Sequence, residues 1–119
     1  MGYTKFRSQK TEVNGICFDS KLEAKRYQQL LFLEKAGEIS DLHLQHELQI
    51  FQGFINPETG EKKKSSFYIG DFFYVDIRDH KIVIEDTKGM ETSDFKLKWK
   101  LAQSQYPEYE FRKITKDQV

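Results

Sequence analysis

Asp71-Phe72-Phe73-Tyr74-Val75, followed by Ile82-Val83-Ile84-Glu85-Asp86-Thr87-Lys88-Gly89, is the stretch that decides how this chain folds and where its chemistry lies. An acid sits inside one hydrophobic strand, and an acid-x-lysine ends the next. Side chains alternate faces along a strand, so Ile82, Ile84, Asp86 and Lys88 point the same way. The two isoleucines anchor a buried strand, whose far end then presents a carboxylate and an ammonium side by side. Charge so close to a core is costly unless it is paired or bound to a metal. Two readings follow. One is a salt bridge at a strand end with Asp71 on the surface. The other is a divalent-cation site with a lysine beside it, which suits hydrolysis of a phosphodiester.

The flanking segments extend the pattern. Asn14-Gly15, between Val13 and Ile16, signals a hairpin, because the pair accepts the positive φ of a type I′ turn. Asp19-Ser20 opens a helix to about Ala36, with Gly37 as its C-terminal cap. Leu42, Leu44, His46, Leu48 and Ile50 alternate with polar or charged residues, the period of a half-buried strand. Residues 56–64, Asn-Pro-Glu-Thr-Gly-Glu-Lys-Lys-Lys, read as an exposed loop. Strands at about 66–77 and 81–87 pair through Arg78-Asp79-His80. Thr92 or Ser93 caps a second helix to about Gln105, with Phe95, Trp99, Ala102 and Tyr106 on one side. Pro107 stops it, and residues 109–114 form a last strand. The order is helix, three strands, helix, strand behind an N-terminal hairpin: an α/β fold with a mixed sheet.

The length, 119 residues, predicts one domain with a real core, helped by 10 Phe and 6 Tyr. The formal net charge is zero, so any nucleic-acid surface must come from local clustering. Cys17 is the only cysteine, which excludes an intrachain disulfide; its apolar neighbours predict a small buried hydrophobe. His43, His46 and His80 are scattered and receive no role. Neither a membrane-length apolar run nor a signal-peptide pattern is present, which predicts an intracellular, soluble protein.

A third carboxylate stands out on the first helix. With Leu22 at zero and 100° per residue, Leu33, Leu30, Tyr27 and Leu31 fall at about 20°, 80°, 140° and 180°. Glu23 falls at about 100°, inside that stripe and in the first turn. Glu34 falls at about 120°, but in the last turn, where it can reach water. Ser20-x-x-Glu23 is also a capping box, so Glu23 is either a cap, a member of a metal site, or both.

Glu on the first helix, Asp in a central strand and acid-x-Lys in the next strand resemble the PD-(D/E)xK nuclease superfamily, whose core runs helix, three strands, helix, strand. More closely, residues 15–23, Ala36-Gly37-Glu38-Ile39, Tyr68-x-x-Asp71-Phe72-x-Tyr74 and Glu85-Asp86-Thr87-Lys88-Gly89 look like small phage-encoded endonucleases described as Holliday-junction-resolvase-like. The resemblance spans about residues 13 to 110. It implies a restriction-endonuclease-like core, with Glu23, Asp71 and Asp86 as ligands of Mg²⁺ or Mn²⁺ and Lys88 as the catalytic lysine. It also implies a phage or prophage protein working in the bacterial cytoplasm. The superfamily's proline is absent, since Gly70 precedes Asp71. Glu85 competes for the acid position, but only Asp86 shares a face with Lys88; a bulge would bring Glu85 back.

The implied function is metal-dependent endonucleolytic cleavage of DNA, on branched or structured substrates, by a homodimer. The N-terminal hairpin and exposed aromatics are the elements expected to carry the dimer contact. Lys96, Lys98 and Lys100 on the second helix are the candidate DNA contacts, although a solvated face is the alternative for each. Lys62-Lys63-Lys64 is either a mobile basic loop that tracks a duplex backbone or a solubilising hairpin tip. The rival class is a non-catalytic nucleic-acid- or partner-binding module that retains the nuclease fold.

Overall fold

The structure, a computed structural model, describes residues 10–119. The first nine residues, on which the signal-peptide expectation rests, lie outside the described residues. A hairpin comes first: β1 (Thr11–Val13) and β2 (Ile16–Phe18) pair antiparallel, Val13 opposite Ile16. Asn14 and Gly15 take φ of 53° and 80°, as a type I′ turn requires. Ile16 and Phe18 pack towards the first helix, so the residue between them must face away. Cys17 is therefore exposed, which corrects the expectation of a buried thiol.

Helix α1 (Lys21–Lys35) starts where Ser20 Oγ accepts the Glu23 N–H at 3.1 Å. It ends in a Schellman turn: Gly37 N–H donates to the Glu34 carbonyl and Glu38 N–H to the Leu33 carbonyl. Then come β3 (Ile39–Phe51), β4 (Phe54–Ile55), β5 (Lys62–Lys63), β6 (Ser66–Asp76) and β7 (Lys81–Thr87). After these follow α2 (Ser93–Gln105), β8 (Tyr109–Ile114) and a short 3-10 helix, Lys116–Gln118. The central sheet has the order β3-β6-β7-β8, antiparallel except for the parallel pair β7–β8. This is the mixed α/β arrangement, with two helices and an N-terminal hairpin, that the periodicities predict.

Residues 56–64 do not form a plain loop. The segment is the tip of a small hairpin, Phe54 opposite Lys63 and Ile55 opposite Lys62. Asn56 Oδ1 accepts the Glu58 N–H, and Gly60, at φ 77°, returns its N–H to the Asn56 carbonyl. Those turn bonds satisfy enough backbone to let two more strands form.

The two helices pack on opposite faces of the sheet. Ala24, Tyr27 and Leu30 of α1 join Phe72, Tyr74 and Val83 in one core. Phe95, Trp99 and Ala102 of α2 join Leu48, Ile50, Tyr68 and Ile84 in the other. Adjacent Val83 and Ile84 thus face opposite ways, as alternation demands. Strand β3 breaks that rule. Leu42 and Leu44 pack on the α1 core, whereas Leu48 and Ile50 belong to the α2 core. The alternation expected of β3 holds in its burial, but the buried residues are divided between two cores rather than facing one. Gln45 has φ 54°, and this left-handed residue turns the strand over. His43 and His46, three residues apart, consequently both lie against the Phe73 ring. Strand β6 changes face in step, because Tyr68 lies in the α2 core and Phe72 in the α1 core.

Candidate functional site

The pairing of β6 with β7 ends at Phe72 opposite Glu85. Asp71 and Asp86 are next in that register, and there the ladder stops. The Thr87 N–H and hydroxyl are instead taken by Asp71 Oδ2, both at 2.8 Å. Asp86 is 3% exposed on the face of the sheet that α2 covers. Its Oδ2 accepts the Tyr68 hydroxyl at 2.6 Å. Lys88 Nζ lies 3.3 Å from Asp86 Oδ1 and 4.5 Å from the centre of the Phe95 ring. That ammonium is close enough to attract Oδ1 but is not aligned as a hydrogen-bond donor, so the buried Oδ1 has no hydrogen bond.

Glu23, in the first turn of α1, lies within electrostatic range of Asp71 and Asp86. Its backbone N–H is capped by Ser20, but no described residue takes its carboxylate, so only half of the capping box forms. Burial, then the charges of Asp71, Asp19 and Asp86, push its pKa up to about 7, with Lys88 opposing. Burial and the adjacent Asp71 charge push Asp86 to about 7 as well, against the Tyr68 bond and Lys88. Tyr68 is in turn driven far above its ordinary value by burial and Asp86. Two carboxyls raised to about 7 by burial, with the Asp71 charge next in both, form a site short of positive charge.

Asp86, Lys88, Tyr68, Phe95 and Lys98 share a shallow cleft of ≈ 270 Å³. Of the three candidate DNA lysines, Lys98 lines this cleft, with its Nζ 3.4 Å from Asp94. Lys96 and Lys100 are exposed on α2 and are not among the residues lining the cleft. A lysine every second residue cannot keep one helical face.

Glu85 faces the other way. It is fully buried on the α1 side, where Arg26 Nε and Nη2 donate to its two oxygens at 2.8 and 2.5 Å and the Tyr74 hydroxyl also donates. Alternation thus separates Glu85 from Lys88, and no bulge brings it back. Neither Arg26 nor Tyr74 stands out in the strand pattern. Arg26 was nonetheless legible, since the helical angles that single out Glu23 put it at about 40°, inside the apolar stripe. A third buried acid, Asp76, has its pKa lowered by its Arg78 bonds; it sits at the far end of β6.

Gly70, the residue before Asp71, is packed tightly in the sheet. A Cβ there would sit 2.7 Å from Cγ2 of Ile84, which is itself fully buried. Glycine is what lets β7 approach β6 beside the acids.

The family described as a protein of unknown function (DUF1064) matches residues 3–118. The chain belongs to that family. No curated protein and no solved structure matches it.

The acids of this DUF1064 chain suit a hard cation in donor type, since all three offer carboxylate oxygen. The orphaned, buried Oδ1 of Asp86 is the strongest mark of fit. Among the described residues, no three His, Cys, Asp or Glu side chains close around a common point at ligand distance. Asp71 Oδ2 is the oxygen turned aside, towards Thr87.

Proposed function

We propose that this protein is a metal-dependent DNA endonuclease with a restriction-endonuclease-like core, in which Glu23, Asp71 and Asp86 hold Mg²⁺ or Mn²⁺ and Lys88 is catalytic. One observation carries the reading: Asp86, nearly inaccessible, keeps an unbonded carboxylate oxygen beside a lysine and within the field of two more acids. A protein with no use for such a group would gain by replacing it with an apolar one. The element order and the parallel β7–β8 pair support the same reading.

When bound, a hard divalent cation supplies electrostatic stabilisation of the charge that builds on a phosphodiester under attack. The chain's own residues then have distinct tasks. Asp86 is oriented by Tyr68, which occupies Oδ2 and leaves Oδ1 for the site. Lys88, steadied by Asp86 and the Phe95 ring, presents an ammonium that can hold an attacking water or a phosphate oxygen. Lys98 adds positive charge at the cleft wall. Branched DNA is the substrate class, cut by a homodimer with one site per strand.

The test is incubation with Mg²⁺ and a panel of four-way junction, flap, single-stranded and duplex DNAs, with EDTA as control. Junction cleavage that requires Mg²⁺ and disappears in Asp86→Asn is expected. Failure to cut every substrate with Mg²⁺ and with Mn²⁺ sinks the reading. Light scattering with and without a junction tests assembly, and a strict monomer in both removes the resolvase assignment.

One observation favours a second reading, a binding module without catalysis. Asp71 spends an oxygen on the Thr87 backbone and hydroxyl, as a purely structural acid would. Junction binding without cleavage under any cation is the outcome that selects it.

A further inference from the structure

Strands β3 and β6 run on together well past the end of β7, and this ribbon carries more apolar surface than its core uses. Leu48, Ile50 and Tyr68 already bury one face under α2. Phe51, Phe54, Ile55, Phe67 and Ile69 nevertheless remain between 40% and 63% exposed. Single exposed hydrophobics are ordinary, but five along one ribbon and its hairpin tip are a patch.

Basic charge accompanies the patch. Phe54, Ile55, Lys62, Lys63 and Lys64 line one concavity of ≈ 580 Å³ on the β4–β5 hairpin. Lys63 pairs with Glu61 at 3.3 Å, whereas Lys62 and Lys64 have no ion pair among the described residues. At the other end, Phe67 and Ile69 line the same cleft as Asp86 and Lys88. Apolar and basic groups therefore run from the candidate site along β6 to the hairpin. Ser66 and Asp71 are five residues apart, about 17 Å of strand at ~3.3 Å per residue.

We propose that this surface binds unpaired nucleotides of a DNA strand, with bases stacked on Phe67 and Phe54 and phosphates on Lys62 and Lys64, and leads that strand to Asp86 and Lys88. The proposal rests on the nuclease reading for its site and adds the substrate feature recognised there, a single-stranded arm. Continuous duplex offers phosphates but hides its base faces, so it would use the lysines and leave the phenylalanines idle. A second copy of the chain fits less well. A two-fold contact centred on this hairpin would set two lysine triplets against each other.

Fluorescence anisotropy in EDTA, with both DNAs compared at each of a series of salt concentrations, tests this with a labelled forked DNA and a blunt duplex of equal length. Wild type should bind the fork more tightly. Phe54→Ala/Phe67→Ala should weaken fork binding by about ten-fold or more, given the usual contribution of a stacked base, and change duplex binding less than about two-fold. Lys62→Gln/Lys64→Gln should weaken both and flatten the salt dependence. All four side chains are exposed, so folding is expected to survive, and a melting curve on each variant checks it. Equal wild-type affinity for fork and duplex overturns the proposal. So does a fork preference that persists in the phenylalanine variant, or a variant that loses only self-association. Cleavage does not enter this readout. A stacking-dependent fork preference in a protein that never cuts supports the proposal while sinking the nuclease reading; cleavage without that preference does the reverse.

Discussion

Arg26 and Glu85 are joined by two parallel bonds, Nε to Oε1 at 2.8 Å and Nη2 to Oε2 at 2.5 Å, that tie α1 to β7. Each partner neighbours a candidate site residue. Glu23 lies one helical turn before Arg26, and Asp86 follows Glu85 directly. The bidentate clamp fixes the separation between the two elements that carry those acids.

Arg26→Met should therefore be costly, because it leaves a fully buried carboxylate with only Tyr74. A loss of about 3–5 kcal/mol in urea unfolding is expected. Arg26→Met/Glu85→Leu should recover most of it, since the stranded charge is gone. A single variant within about 1 kcal/mol of wild type would show that the pair is not structural.

Mg²⁺ or Mn²⁺ should raise the melting temperature by mass action on the folded state. Asp71→Asn is the informative control. It removes a charge but keeps an acceptor for the Thr87 amide, so the fold should persist while the cation-induced rise disappears. A rise of unchanged size in that variant would place the cation elsewhere.

Without added cation, Glu23 and Asp86 predict a specific pH dependence. Both folded-state values, about 7, lie above the ordinary 4.5 and 3.8. Across that window the folded state holds more protons than the unfolded one, so the contribution to stability is present at acid pH and lost as pH rises through about 7. Asp86→Asn, neutral throughout, should gain melting temperature over wild type at pH 8 and little or none at pH 4. Differential scanning calorimetry at the two pH values measures it. An equal difference at both would refute the raised Asp86.

Lys88→Ala should abolish cleavage while leaving junction affinity within a few-fold, if the ammonium acts mainly in the transition state. It also removes the cation that faces Asp86 Oδ1, so this variant should show a larger melting-temperature rise with Mg²⁺ than wild type does. Equal losses in affinity and rate would make Lys88 an ordinary phosphate contact.

Much of the fold was legible because local rules act at short range. Asn14-Gly15, the Gly37 cap and the Phe95/Trp99/Ala102 stripe each work within a few residues, and each forms as read. Alternation also separated Asp86 from Glu85 correctly. What escaped depends on distant partners. No glycine or asparagine announces the left-handed turn at Gln45, so the change of face in β3 is invisible in its pattern. Cys17 sits in an apolar stretch, yet period two turns it outward. Spacing alone could not say that Lys98 reaches the cleft while Lys96 and Lys100 are not among its lining residues. Nor could it give Glu85 its partner 59 residues away.

The reversal at Gln45 has an evolutionary corollary. Upstream of it β3 serves one helix, and downstream the other, so the strand is written in two reading frames joined at a single residue. Deleting that residue would leave Leu48 and Ile50 facing α2, because Leu44 and His46 would then alternate as neighbours. It would, however, slip the downstream pairing with β6 by one residue, taking Leu48 out of register with Tyr68. Substitution at Gln45 is far gentler, needing only a side chain that tolerates positive φ. Descendants of this chain are thus free to vary the letter at position 45 but not the count of residues around it.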